Sequence, residues 1–365
     1  VVNLRPNIDP RWVARLHDFR PAWWLPGGHA QTLSAAFWKG HQSVEQGVLR
    51  SITLPDGDAL VALDDCPPHW CPGDPAILMM HGLGGSARNP LLVRIAGHLI
   101  QRGVRVFRLN LRGCGAGVGL ARLPYNAGSS GDLKAAVQAV IAWCRKPLVE
   151  PTPASVPPGP DLDKAQAPTP LTLFGMSLSG NLLLKYLGEE GDHIPPSVQR
   201  AIAINPPIDL ARSVATLERT LNKGYDRHFV RTLTQQIEAQ IRLRPDFAAL
   251  PHPLPRTLYD FDDRFTAPHG GHPGAAAYYT HSSAITRLPA IRLPTLILTA
   301  ADDPLVPVEM FHEQRATWPS HIHLAITSGG GHLGYVGSGH HDPDSRWLDW
   351  RVCEFAAIAP STTPC

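Results

Sequence analysis

Leu171 to Glu189 reads LTLFGMSLSGNLLLKYLGE. It opens with four apolar or β-favouring residues, passes through a cluster of glycine and serine, and continues with a helix-period pattern. This predicts a strand, a sharp corner at Ser177, and a helix. A serine at such a corner holds its backbone in a strained conformation that bulky neighbours would obstruct. Gly175, Ser179 and Gly180 keep the neighbourhood small, although the usual G-x-S-x-G pattern has glycine where Ser179 stands. The competing reading of Ser177 is a helix N-cap that satisfies free amides, and the pentapeptide alone does not decide between them.

Working outward, strands alternate with helices. GVLRSITL and ALVAL flank the turn PDGD, where Asp56 and Gly57 suit an antiparallel hairpin. PAILMMHG reads as a buried strand, NPLLVRIAGHLIQRG as an amphipathic helix closed by Gly103, and VRVFRLNLRG as the next strand. SSGDLKAAVQAVIAWCRK reads as a helix opened by a capping box of Ser129 and Asp132. After the Ser177 corner come the strands RAIAINPP, PTLILTAADDP and HIHLAITSGGGH, and a closing helix DSRWLDWRVCEFAAI. The expected fold is α/β, with a mostly parallel central sheet and helices on both faces.

Two stretches interrupt the alternation. Residues 147–170 are rich in proline and read as a surface loop; residues 207–289 hold helical segments and then aromatic irregular sequence, which suits a helical lid inserted over the sheet's carboxyl edge. Residues 1–206 and 290–365 then form the core, with 1–47 as an N-terminal arm.

A serine hydroxyl is a weak nucleophile near neutral pH and needs a histidine base, itself oriented by a carboxylate. PTLILTAADDPLVP supplies Asp302 and Asp303 just past one strand, and HIHLAITSGGGHLGYVG supplies His332 just past the last. The expected catalytic set is Ser177, Asp303 and His332. Asp303 is preferred because turns of this kind carry the acid four residues before a proline, here Pro307; Asp302 is the reserve, and capping of the helix VEMFHEQ is the other role open to either. The oxyanion donors are expected to be the amides of Leu178, at the helix start, and Leu83, in the loop HGLGG. His81 is expected to hydrogen-bond that loop rather than serve as a second base.

The same loop offers a rival. GLGGSA, Gly82 to Ala87, matches the dinucleotide fingerprint G-x-G-x-x-A, but the next strand ends in Asn110 without the acid that would hold a ribose. Arg108 or Arg112 would have to take a 2′-phosphate, and the reading leaves Ser177, Asp303 and His332 unexplained. No cofactor is expected. Nor is a metal: histidine pairs such as His340 with His341, His321 with His323 and His269 with His272 form no H-E-x-x-H or Cys-His set.

Composition narrows the partners. Hydrophobic residues make up 43% and charged residues 18%, with a formal charge of +2, so no basic face for nucleic acid is expected. The longest uncharged apolar runs are short of the ~20 residues a membrane span needs. Six cysteines without CxxC spacing fit a reducing, cytoplasmic compartment, although Cys66 and Cys71 would be able to pair after export, and the start at Val1 leaves the native N-terminus open. Cys114 reads as a small packing residue.

Taken together, FRPAWWLPGGHAQTL, HGLGGSARNP, LRGCGAG, GMSLSGNLLLKYLGE, FDDRFTAP, AAYYTHSS, TAADDPLVP and GGGHLGYVG resemble the YheT-like branch of the α/β-hydrolases. The resemblance implies an α/β-hydrolase fold, a triad at Ser177, Asp303 and His332, and a serine esterase or lipase acting on a small-molecule ester or lipid. It also implies a chain without the N-terminal membrane helix of anchored relatives, with peripheral lipid contact still open. It sets RPAWWLPGGHAQT beside the site, with Trp23, Trp24, Tyr278 and Tyr279 as acyl-pocket candidates or core residues. Acyl transfer or perhydrolysis by the same triad, and a non-catalytic binding module of this fold, are the alternatives.

Overall fold

The computed structural model describes Leu16 and residues 19–38, 47–146, 168–338 and 342–357. The strands are β1 (Val48–Thr53), β2 (Ala59–Asp65), β3 (Ala76–Met80), β4 (Arg105–Asn110), β5 (Leu171–Met176), β6 (Val198–Ile204), β7 (Thr295–Ala300) and β8 (Ile322–Thr327). They form one sheet in the order β1-β2-β4-β3-β5-β6-β7-β8. The β1–β2 hairpin and the β2–β4 pair are antiparallel, and β4 through β8 run parallel.

Strands β3, β5 and β7 are uncharged, largely apolar runs because both of their faces are covered, while β4 carries Arg105 and Arg108 into buried ion pairs. Side chains alternate across the sheet: Leu78, Met80, Leu109 and Leu173 enter one core, and Ile77, Met79, Val106 and Phe174 the other. The helices are α1 (Gly27–Phe37), α2 (Pro90–Ile100), α3 (Ser130–Trp143), α4 (Leu178–Glu190), α5 (Leu210–Leu217), α6 (Lys223–Leu243), α7 (Ala275–Ser282), α8 (Glu309–Gln314) and α9 (Trp347–Ala357). Leu133, Val137 and Val140 of α3 join Leu183 and Leu187 of α4 in the first core; Leu92, Ile95 and Leu99 of α2 join Leu348 and Val352 of α9 in the second.

Helix α2 starts as its sequence suggests: Asn89 Oδ1 accepts from Leu91 N at 2.9 Å with proline at the first helical position, and Gly103, at φ +76°, follows its end. Helix α3 does not start as expected. Asp132 turns away from the cap to form two bonds with Arg112, at 2.6 and 2.8 Å to Nε and Nη2, and Ser129 Oγ accepts instead from Asn126 N. A guanidinium twenty residues upstream outcompetes the local amide, since a bidentate charged pair is the stronger bond.

Between β6 and β7 lie α5, α6, a helical run Leu258–Phe261 that passes through a π turn at Asp262–Thr266 into Ala267–His269, and α7. The aromatic stretch read as irregular is therefore largely helical. Thr257 opens it, with Oγ1 accepting from Asp260 N at 3.1 Å. Of the proline-rich loop 147–170, residues 147–167 lie outside the described residues, as does most of the arm before Phe19.

No helix among the described residues is long and apolar enough to cross a membrane. No disulfide joins Cys66 and Cys71. Cys114 is buried in the core, where burial pushes its thiol far up.

Candidate active site

Ser177 follows β5 and precedes α4 with φ +52° and ψ −125°, in the left-handed region that non-glycine residues rarely occupy. Its amide donates to Ile204 O at 2.8 Å and its carbonyl accepts from Gly180 N at 2.8 Å, which pins the turn to β6 and to the helix. Two of the expected small residues are sterically required. A Cβ on Gly175 would lie 2.3 Å from Ser179 O, and one on Gly180 2.9 Å from Pro206 Cβ. Position 179 has room for a side chain, and Ser179 uses it: the buried hydroxyl donates to His81 O, tying the corner to the end of β3. The departure from the common glycine leaves the elbow intact.

The Ser177 Oγ lies 2.8 Å from His332 Nε2, and His332 Nδ1 lies 2.8 Å from Asp303 Oδ2. The carboxylate accepts only, so Nδ1 carries the proton and Nε2 is left to accept from the serine. Asp303 is buried, and its Oδ1 accepts from the amides of Leu305 and Val306 at 2.8 and 3.1 Å. Helix α8 has its N-cap at Val308 with no side-chain bond, so neither aspartate caps it. Asp302 faces the glycine loop instead, accepting from Gly331 N at 2.8 Å, and burial pushes its carboxyl up.

Three residues that sequence reasoning missed hold this end. Asn205, buried at φ +44° just past β6, donates from Nδ2 to Asp303 Oδ2 at 2.7 Å and to Gly331 O at 3.2 Å. Thr32 of α1 accepts from His332 N at 2.9 Å and donates to Gly28 O at 2.7 Å. Gln31 spans Val336, donating to its carbonyl at 3.0 Å and accepting from its amide at 2.8 Å. Helix α1 can come this close because glycine faces it: a Cβ on Gly331 would lie 2.3 Å from Gly28 O, and one on Gly28 1.7 Å from Asp302 O. For Gln31 and Thr32 the signal was the resemblance, which set RPAWWLPGGHAQT beside the site; for Asn205 it was asparagine's tolerance of left-handed backbone at the end of a strand. Trp23 and Trp24 are exposed, at 87% and 50%, and do not line the cavity over Ser177, whereas Tyr278 and Tyr279 are buried in its wall.

Gly82 runs beside the serine, with a built Cβ 3.1 Å from Ser177 Cβ. A tight turn follows, closed by Gly85 N to Gly82 O at 3.1 Å, with Gly84 at φ +71°. Leu178 begins α4, so its amide is among those a helix leaves without an intrahelical acceptor. His81 props the turn: its Nε2 accepts from Leu111 N at 3.2 Å, so Nδ1 donates to Gly82 O at 2.8 Å. Burial pushes its imidazole down to about 4, which keeps it neutral near pH 7.

The turn is not open to a dinucleotide. Helix α6 sits on it, with Thr232 Cγ2 2.7 Å from a Cβ built on Gly84. Arg108 is paired with Asp65 at 2.7 Å, and Arg112 with Asp132, Asp58 and Asp56. Of the histidine pairs, His340 and His341 lie outside the described residues; His269 Nδ1 lies 2.7 Å from Phe265 O, His272 packs on Tyr278 and His281, and His321 Nε2 lies 2.8 Å from Ile291 O. Among the described residues no three His, Cys, Asp or Glu side chains are grouped to hold a metal.

A cavity of about 1000 Å³, counting its mouth, opens over Ser177 and His332, with Leu83 and Leu178 in its wall. Most of the rest is apolar and comes from the segment between β6 and β7, including Val214, Phe229, Leu233, Ile237, Phe261 and Phe265.

The family model of the alpha/beta hydrolase fold matches residues 165–337. The chain is 26% identical to Escherichia coli YheT over 310 residues, 82% of each chain. It is 27% identical to a Saccharomyces cerevisiae monoacylglycerol lipase over 293 residues, 78% of this chain but 59% of that enzyme, so it spans under two thirds of the yeast protein. The solved α/β hydrolase GrgF from Penicillium has the same fold at a TM-score of 0.51 and 19% identity, covering 85% of this chain and 97% of its own. Similarity to YheT runs through most of both sequences and is borne on this sheet: the chain has the α/β-hydrolase fold and resembles its YheT-like branch.

Proposed function

We propose that the protein is a serine hydrolase of carboxylic esters that works through an acyl-enzyme, with Ser177 as nucleophile, His332 as base and acid, and Asp303 as the orienting carboxylate. The observation that carries this reading is the unbroken line Ser177 Oγ, His332 Nε2, His332 Nδ1, Asp303 Oδ2, with both gaps at 2.8 Å, opening into an apolar cavity. In the first step Oγ forms a bond to the ester carbonyl carbon while its proton passes to His332 Nε2. The carbonyl oxygen takes up negative charge facing the amides of Leu83 and Leu178. As the intermediate collapses, the carbon–oxygen bond to the alcohol breaks and His332 returns the proton to the leaving oxygen. Water then enters by the same route and releases the acid.

The segment 207–289 acts as a lid in this reading, because it supplies the apolar wall. That wall suits apolar acyl groups, and short- to medium-chain esters, with acylglycerols or other lipids in view of the yeast relative's name, are the candidate substrates. Stoichiometric labelling by a fluorophosphonate, and a burst with a p-nitrophenyl ester, are the expected outcomes, both lost in Ser177→Ala. Failure of the wild type to label would replace the enzyme with a binding module of the same fold. Rates across esters from acetate to palmitate would fix the chain length.

A further inference from the structure

Two polar side chains in the cavity wall have no part in that acyl chemistry, and one glycine fixes both. The Gly84 amide donates to Tyr125 Oη at 2.8 Å, and the Gly84 carbonyl accepts from Gln236 Nε2 at 3.0 Å. Both side chains line the cavity together with Ser177. Tyr125 Oη is the acceptor in its bond, so its own proton remains to be given elsewhere, and no described residue takes it. Burial pushes the phenol well above its ordinary range, which keeps that proton in place. The orientation of Gln236 is equally determined, since turning the amide over would set oxygen against the Gly84 carbonyl. Its Oε1 therefore occupies the other prong, buried and without a hydrogen-bond partner among the described residues.

A buried acceptor left unmade is costly, and a spare donor held on the same turn supplies the second half of a recognition site. The group that complements one acceptor and one donor is a hydroxyl. Gly84 follows Leu83, so a hydroxyl bound there sits close to the carbonyl under attack. The geometry points to Gln236 and Tyr125 as a specificity pair that selects esters carrying a hydroxyl near the scissile bond, in either the alcohol or the acyl part. This rests on the ester-hydrolase reading.

Three esters of similar size test it: ethyl butyrate, 2-hydroxyethyl butyrate and ethyl 3-hydroxybutyrate, with each kcat/KM divided by the rate of hydroxide-catalysed hydrolysis to remove intrinsic reactivity. One hydroxylated ester is expected to exceed ethyl butyrate by roughly 10- to 100-fold, and which one identifies the side of the bond that carries the hydroxyl. In Gln236→Leu and Tyr125→Phe all three rates are expected to fall, because the turn loses an anchor, while the preference collapses toward unity. Equal wild-type rates on all three esters overturn the inference and leave the hydrolase reading standing. A preference that survives both substitutions overturns the assignment to these residues. No turnover of any ester together with no fluorophosphonate labelling removes the hydrolase reading, and the inference with it.

Discussion

The two ends of the line from Ser177 through His332 to Asp303, the proposed triad, are built in opposite ways. Ser177 is positioned by its own neighbours in the chain: Gly175, Ser179 and Gly180 lie within three residues, and the corner is held by backbone sterics and a left-handed φ. His332 and Asp303 are positioned by residues far away in the chain: Thr32 is 300 residues from His332, and Asn205 is 98 from Asp303. A nucleophile on a sharp corner needs little help from elsewhere, whereas an imidazole on a glycine loop has no stiffness of its own and must borrow it. Substitutions at the local end are thus expected to act all at once, and those at the distant end to loosen the site by degrees.

The largest effect is expected from Gly175→Ala. The added methyl meets Ser179 O at 2.3 Å and Gly180 N at 2.9 Å, both backbone atoms that cannot rotate away. The corner must open, at a cost of about 3 kcal/mol in stability. Displacement of the Ser177 hydroxyl by about 1 Å predicts fluorophosphonate labelling slower by roughly 100-fold. Wild-type labelling with an unchanged melting temperature would mean that the corner is not sterically locked.

An intermediate effect is expected at Asn205, which bonds both the acid and the histidine loop. Its φ of +44° complicates the choice of variant, because alanine would add backbone strain to the loss of the amide. Asn205→Gly keeps the backbone at ease and removes only the donors to Asp303 Oδ2 and Gly331 O. A hydrogen bond to a charged group of this kind predicts kcat lower by roughly 10- to 100-fold with KM little changed. Asn205→Ala is expected to be worse than glycine in thermal stability. Wild-type kcat in the glycine variant would show that Asp303 holds its place unaided.

This contrast also explains what the sequence reveals. The Ser177 corner and the buried strands are legible because each is a short run whose residues answer to one another: β3, β5 and β7 as largely apolar stretches, the elbow as small residues around a serine. The distance to Pro307 favoured Asp303 over Asp302, and in the structure Asp303 bonds His332 Nδ1 while Asp302 accepts from Gly331 N. Asn205, Tyr125 and Gln236 left no such trace, and Gln31 and Thr32 were placed near the site only by resemblance, since the partners of all five adjoin them only after folding. The misread cap at Ser129 has the same origin, a local pattern overruled by Arg112. Between Thr257 and Ser282, proline and glycine beside aromatic residues hid helices that gain their stability by packing over the cavity rather than from propensity.

The smallest effect is expected from Thr32→Val, and it tests the distant end most directly. Valine keeps the shape of threonine and removes only the hydroxyl, which accepts from His332 N at 2.9 Å while donating to Gly28 O at 2.7 Å. The His332 amide is then buried without an acceptor, a penalty of about 1–2 kcal/mol in urea unfolding. Because the amide belongs to the residue whose ring serves Ser177, part of that loosening must reach the imidazole, and kcat is expected to fall roughly 3- to 10-fold. Thr32→Ser restores the hydroxyl and is expected to recover both quantities, which a mere change of packing in α1 would not achieve. If valine leaves kcat and stability at wild-type values, His332 does not draw its stiffness from α1, and the contrast between the two ends of the line fails at the bond that defines it.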